Sequence, residues 1–522
     1  MLAMPDLNGA APLLRVAAIG YSAPAKPPRP SAYQRYVAWD RVRYRQIPDA
    51  FAPEPIDELW SQLPGTVTSP YGAAWQDLPL DVVIDYTQSP VPANWLAKLR
   101  FGVWQFHFGD LHTICDDGSC FWEMYRRQPL TPSYLVATTQ SHPHGRAIYE
   151  SQSGTDFFSL AQSSNPIYWK AAAFPSRCLQ RLRQHAETFW QDLSPALPVR
   201  HEPPAARTPG PGTLGAFYVR RLREATTTRL RNLRGTPPDP KWFCAYRRKS
   251  SPGQVVNADW QPLVPPPDRF YADPFVVRHA GKHYLLFEDF IESQQKGVIS
   301  ACEILPDGTT SRPQVVLETD YHLSYPFVFQ AEGQMFMMPE TEQNRTITVF
   351  RAKRFPYEWE FYRTNLENVR AVDATLLAHE GRYWIFCNIA AAGASSWDEL
   401  HAFHAAGPFG PWTPHPGNPL VSDVRRARPA GAFFYRQGQL LRPAQDCSVC
   451  YGHAVVIHRV DRLTVDDYQE SPVERIDPTW LAGNEGTHTW NENDAFEVID
   501  GKIPARQLRR WAAGAASRQV DI

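Results

Sequence analysis

Apolar and polar positions alternate in short runs through the second half of the chain. The segments FVVRHAGKHYLLFE, FVFQAEGQMFMMPE, TLLAHEGRYWIFCN and FFYRQGQLLRPAQD each hold two apolar stretches joined at Gly281, Gly333, Gly381 or Gly438. Two such runs around a glycine turn predict a β-hairpin. The first half reads differently. LRVAAIG and LDVVIDY have the pattern of strands, and SAYQRYVAWDRVRYR and PANWLAKLRFG that of helices. Strands alternating with helices predict an open α/β sheet.

Between the halves, residues 194–240 are rich in Pro, Arg and Gly and read as a linker. Inside it, Leu214 to Leu233 has helical spacing of apolar residues and many arginines. This predicts a helix that docks between domains, with a membrane-surface helix as the weaker alternative. The expected organisation is an α/β domain over 1–193, the linker with its helix over 194–240, and an all-β domain over 241–522.

The hairpins are one unit repeated. Asp273, Tyr325, Asp373 and Arg428 stand at matching places ahead of the four hairpins, and His488 begins a fifth unit that fits at its start only. A period of roughly 50 all-β residues suits the blades of a propeller, here five-bladed. The hairpin ends align as well, at Glu288, Glu340 and Asn388, with Gln445 or Asp446 near that point in the fourth unit. The first strand of each blade lines the channel, so equivalent positions face one shared funnel. Capping and turn roles explain some of these residues. They explain the whole set poorly, because buried carboxylates are costly.

Composition narrows the classes. Of 522 residues 43% are hydrophobic and 13% aromatic, so a packed core is attainable, and the net charge is −1. No global electrostatic pull toward nucleic acid or an anionic membrane follows, and no nucleic-acid module is present. No apolar run is long enough for a membrane span, and the N-terminus lacks the basic start of a signal peptide, so the expected compartment is the cytoplasm. The eight cysteines are scattered, and the one CxxC, Cys447 to Cys450, lacks a second ligand pair. Reduced thiols are expected and no metal site. The sequence specifies neither a cofactor nor an oligomeric state.

Glycosidic chemistry uses two carboxyl groups across the scissile bond. Asp273, Glu340 and Asp373 come from three repeats and supply candidates. Arg428, Asp446, His488 and His322 are candidates for holding the ligand, and Tyr325, Tyr451, Trp490 and Trp397 for stacking on sugar faces. YADPFVV with its glycine-turn hairpin resembles the first blade of the family 43 arabinanase and xylosidase group. HLSYPFVF, AVDATLL and GTHTWN resemble more closely the propeller domain of glucosamine inositolphosphorylceramide transferase-like proteins. The resemblance covers roughly Trp242 to Asn491. It implies that Asp273 matches the base or nucleophile of the glycosidases and Asp373 their third-blade aspartate. The acid glutamate expected in the fourth blade is replaced by Arg428, which leaves Glu340 as the substitute acid by its place in the repeat.

In the first half, LDVVIDYTQSPVPANWLAKLRFGVWQFHFGD and CFWEMYRRQPLT resemble folate-dependent formyltransferases. Their Asn-x-His pair corresponds to Gln105 and His107, and His144 stands where an aspartate is expected. The likeness implies a degenerate domain of that type. Three functions follow as expectations. The first is glycosyl hydrolysis or transfer on a glycan or glycoconjugate. The second is formyl transfer to an amino sugar. The third is a non-catalytic glycan-binding scaffold.

Overall fold

The computed structural model describes residues 30–46, 48–50, 80–86, 91–111, 120–184, 186–191, 193, 208–233, 240–249, 260–390 and 393–515, with strand pieces at 19–20, 66–67, 114–115 and 205–206. The chain divides into two compact units, one of residues 1–226 with 391–394 and one of the remainder.

In the first unit, Ser31 and Gln34 close a reciprocal capping box that starts helix α1 (Ala32–Arg43). The short helix α2 (Phe121–Arg126) precedes a hairpin, and α3 (Leu160–Ala171) and α4 (Phe174–Gln184) follow it. The sheet runs Val83–Asp85, Val103–Phe108, Leu130–Thr138, Arg146–Gly154 in neighbour order. Only the first pair is parallel. It is therefore a mixed sheet, and the order of its strands does not establish the formyltransferase-like architecture that the sequence suggested. Trp104 and Phe106 point to a core shared with Leu135, Ile148, Phe174 and Phe189. By strand alternation Gln105 and His107 share the opposite face. The LRVAAIG segment lies outside the described residues except for Ile19 and Gly20. The arginine-rich segment forms helix α5 (Pro211–Leu233), whose Leu214 and Phe217 pack with Tyr33, Tyr36 and Phe121.

The second unit is all-β. Sheet 1 is Arg269–His279, Lys282–Ile291, Lys296–Ile304 and Gln314–Leu317. Sheet 2 is Ser324–Ala331, Gln334–Glu340, Thr346–Arg354 and Glu358–Glu367. Sheet 3 is Ala371–His379, Arg382–Ile389, Glu399–Ala405 and Thr413–Pro414, with Val421–Ser422 beside its third strand. Sheet 4 is Phe434–Arg436, Gln439–Asp446, Ala454–Leu463 and Tyr468–Ile476. Sheet 5 joins distant parts of the chain: Gln261–Leu263, Lys241–Arg248, Phe496–Ile503 and Trp490–Glu492, in that order.

The predicted hairpins open sheets 1 to 4. Each turn has two residues, as the pairs His279/Lys282, Ala331/Gln334, His379/Arg382 and Arg436/Gln439 show. Both turn residues have positive φ, for example 48° at Glu380 and 74° at Gly381. That is the twist-matched hairpin turn, and glycine at its second place removes half the steric cost.

Hydrogen bonds link the sheets in a closed cycle. The Asp273 N–H donates to Asp500 (sheets 1 and 5), and the Tyr325 N–H donates to Asp273 (2 and 1). The Tyr325 hydroxyl meets Thr375 (2 and 3), and Arg428, on the segment leading into sheet 4, donates to Asp373. The Trp490 N–H donates to the Ala430 carbonyl and closes the cycle between sheets 5 and 4.

Candidate functional site

Three equivalent residues start the site. Asp273, Tyr325 and Asp373 have φ of 52°, 46° and 54°, a left-handed conformation that non-glycine residues rarely adopt. Each sits in a break of strand register, between Ala272 and Phe275, Ser324 and Phe327, and Val372 and Thr375. A bulge there re-aims one side chain without ending the strand. Its recurrence at three matched positions, each time on a non-glycine residue, marks a conformation held by surrounding structure.

The re-aimed side chains meet in two linked clusters. In the first, Asp273 Oδ1 accepts from the Thr489 hydroxyl at 2.6 Å, and Oδ2 accepts from the Tyr325 N–H at 3.2 Å. His488 Nε2 lies 3.5 Å from Asp273, and its Nδ1 lies 2.5 Å from Asp500 Oδ2. Asp500 also accepts from the backbone N–H groups of His488 and Thr489. Burial is the largest influence on His488 and pushes its pKa down. Asp500 and Asp273 outweigh it, and the net shift is upward. Burial raises Asp273 to about 6, against the lowering effect of His488. Asp273, His488 and Asp500 are the grouping among the described residues with metal-ligand spacing. Their oxygens are already engaged by Thr489, Tyr325, His488 and backbone donors.

In the second cluster, Arg428 Nε lies 2.5 Å from Asp373 Oδ2, and its Nη2 lies 3.3 Å from Oδ1. The Gln445 amide donates to the same Oδ2 at 3.1 Å. Glu340 Oε2 lies 3.7 Å from Arg428 Nη2. Burial, and then Asp373, raise the Glu340 pKa well above its ordinary value, so it keeps its proton to higher pH than a free carboxyl does. Its Oε2 is buried and has no donor partner. Glu288 is raised in the same direction by burial and then by Asp273, and faces His322 at 3.5 Å. The His322 Nδ1 accepts from the Gly297 N–H, and burial lowers its pKa.

Aromatic rings adjoin both clusters. The Trp242 ring lies 4.1 Å from His488. Tyr451 lies 5.3 Å from His488 and 5.6 Å from Trp397, and Arg428 sits 5.0 Å from the Tyr451 ring. Tyr451 and Trp397 are half-buried.

The structure thus gathers Asp273, Glu340, Asp373, Tyr325, Arg428 and His488. It uses Asp446 differently: Oδ1 accepts from the Ser448 N–H and Oδ2 pairs with Arg475. Gln445, one place earlier, is the residue that reaches Asp373. The sequence reading also missed Asp500, Thr489 and Thr375. Asp500 left one signal, a carboxylate on the strand face that it shares with Phe496 and Val498. Cys447 is buried and Cys450 exposed, both unbonded. In the first unit, the Gln105 amide donates to Asp85, His107 is lowered by burial, and His144 lies in the turn before Arg146–Gly154.

Known proteins resemble this second unit. Residues 256–506 match the family model described as glucosamine inositolphosphorylceramide transferase 1, N-terminal. The glucosamine inositolphosphorylceramide transferase 1 of Oryza sativa subsp. japonica is 34% identical over 211 residues, 40% of this chain and 28% of that protein. Its Arabidopsis thaliana counterpart is 33% identical over 230 residues, 43% of this chain and 29% of that one. The chain therefore spans under a third of the length of the curated relatives it matches. Among solved structures, the GH43_1 enzyme from Xanthomonas citri complexed with xylotriose is 12% identical, with a TM-score of 0.33, over 46% of this chain and 89% of that one. The RS223 β-xylosidase is 14% identical, with a TM-score of 0.31, over 45% of this chain and 94% of that one. The family match begins at residue 256 and does not bear on the formyltransferase likeness of the first unit.

Proposed function

We propose that the five sheets are the blades of a five-bladed β-propeller and that its centre recognises a sugar of a glycan or glycoconjugate for glycosyl transfer. The observation that carries this reading is Glu340. Burial and Asp373 push its carboxyl toward the protonated form, its Oε2 makes no hydrogen bond, and it stands near half-buried aromatic rings. The relatives' printed name, glucosamine inositolphosphorylceramide transferase 1, agrees with that class of ligand.

In this reading Asp273 and Asp373 position the site, because both oxygens of each are already engaged. Glu340 meets the ligand. As the glycosidic C–O bond breaks, its proton passes to the leaving oxygen; an acceptor hydroxyl then bonds to the sugar carbon and gives its own proton to the Glu340 carboxylate, restoring the acid. Arg428 is committed to Asp373 and Glu340, so an anionic ligand finds no free cation there. That favours an uncharged or amino sugar. Trp397 and Tyr451 supply the stacking faces.

The test is a thermal-shift screen of the full chain with neutral sugars, amino sugars, nucleotide sugars and inositol phosphates. A neutral or amino sugar that raises the melting temperature of wild type, but not of Glu340→Gln or Trp397→Ala, supports the reading. A response confined to the anionic ligands, or one that both variants retain, overturns it.

A further inference from the structure

The first unit carries an outward surface that the sugar site does not use. Helix α5 turns Leu214 and Phe217 inward, yet its outer side shows Tyr218, Val219 and Leu222, the last 66% exposed. Helix α1 adds Trp39 and Val42, which are 50% and 72% exposed. These are one patch: the Trp39 and Tyr218 rings lie 6.4 Å apart, and Tyr218 also packs on Tyr36. Exposed Phe158 extends it, with Arg221 stacked 5.6 Å from its ring.

Arginines surround this apolar patch. Exposed Arg35, Arg41, Arg43 and Arg45 lie on or just after α1, and Arg220, Arg221 and Arg223 lie on α5. These two stretches carry two acids, Asp40 and Glu224, against those seven arginines. Asp40 is buried and accepts from Ser159 and the Ala161 N–H, and Glu224 is paired with Arg127. A chain of net charge −1 thus concentrates positive charge around exposed aromatic and aliphatic side chains.

We infer that the α1–α5 face binds the surface of an anionic lipid bilayer. The arginines meet the headgroups, Trp39 and Tyr218 sit at the polar–apolar boundary, and Val42, Val219 and Leu222 enter the first acyl layer. The aliphatic residues select this partner over nucleic acid, which offers phosphates to the arginines but nothing to an exposed valine or leucine. No helix among the described residues is long and apolar enough to cross a membrane, so the contact is peripheral.

The experiment is sedimentation of the full chain with phosphatidylcholine vesicles, with and without phosphatidylglycerol. Wild type should pellet with the anionic vesicles only. Arg43→Ala with Arg223→Ala should weaken partitioning by about thirtyfold, from roughly 1 kcal/mol per arginine at an anionic surface. Val42→Asp with Leu222→Asp should abolish it while leaving the melting temperature within a few degrees, since both positions are exposed. Equal binding to neutral vesicles, no binding to either, or full binding by the aspartate pair would each overturn the proposal. Capture by duplex DNA in place of vesicles would do so too.

Discussion

The guanidinium of Arg428 closes on the carboxylate of Asp373 at 2.5 Å, with both side chains buried. The pair joins sheet 3 to the segment leading into sheet 4. Removing one member leaves the other charge in a place that water does not reach. Arg428→Met should therefore lower the unfolding free energy by about 3–5 kcal/mol. The double change Arg428→Met with Asp373→Asn should recover part of that loss. Urea denaturation of the three proteins measures both effects.

Glu340 is treated differently by its surroundings. Burial and Asp373 push its carboxyl toward the neutral, protonated form, so Glu340→Gln replaces a group favoured as neutral with another of similar shape. Stability should change by less than about 1 kcal/mol, in line with a near-isosteric exchange. Sugar transfer should fall by about 10²–10⁴-fold, the usual worth of a general acid. Parallel urea titrations and turnover measurements separate the two.

Asp273 makes stability depend on pH. Its folded pKa is about 6, above the ordinary 3.8, so between those values the folded chain holds a proton that the unfolded chain has released. The stabilisation from this proton is complete below pH 3.8 and is lost as pH rises through about 6. Asp273→Asn abolishes that titration. The stability difference between wild type and variant should therefore shrink steadily over this window, in melting temperatures taken at closely spaced pH values. A constant difference would place the Asp273 pKa at its ordinary value.

Tyr325 ties three parts of the second unit through one oxygen. Its hydroxyl meets Thr375 at 2.9 Å and accepts from the Gly431 N–H at 2.8 Å. Tyr325→Phe leaves that buried N–H without a partner and should cost about 1–3 kcal/mol. Amide exchange at Gly431 should accelerate more than at Gly381, which lies in an exposed turn.

Much of this was legible in the sequence, because hairpin turns and helix caps are local. Gly281, Gly333, Gly381 and Gly438 announce their turns, and Ser31 with Gln34 announces α1. The matched positions of Asp273, Tyr325 and Asp373 followed from the repeat alone. The fourth repeat misled by one place. Its first strand begins only at Phe434 and has no bulge to align, and a one-residue slip exchanges Gln445 for Asp446. Arg428 was expected to hold a ligand anion, but its partner is Asp373, 55 places earlier. Asp500 escaped because its contact with Asp273 spans 227 places, and no local pattern encodes that distance. In the first unit, the alternation that puts Gln105 and His107 on one face was readable. Whether neighbouring strands run parallel was not, since that depends on chain connections.

Sheet 5 pairs Lys241–Arg248 with Phe496–Ile503, so the opening strand of the second unit waits for nearly the last one. During synthesis, Asp273 leaves the ribosome well before Asp500 and His488 exist. Until they emerge it is a carboxylate without its partners. The Asp273–His488–Asp500 cluster is thus the final part of this unit to form, and a chain cut short before Phe496 would carry every repeat start and still lack it.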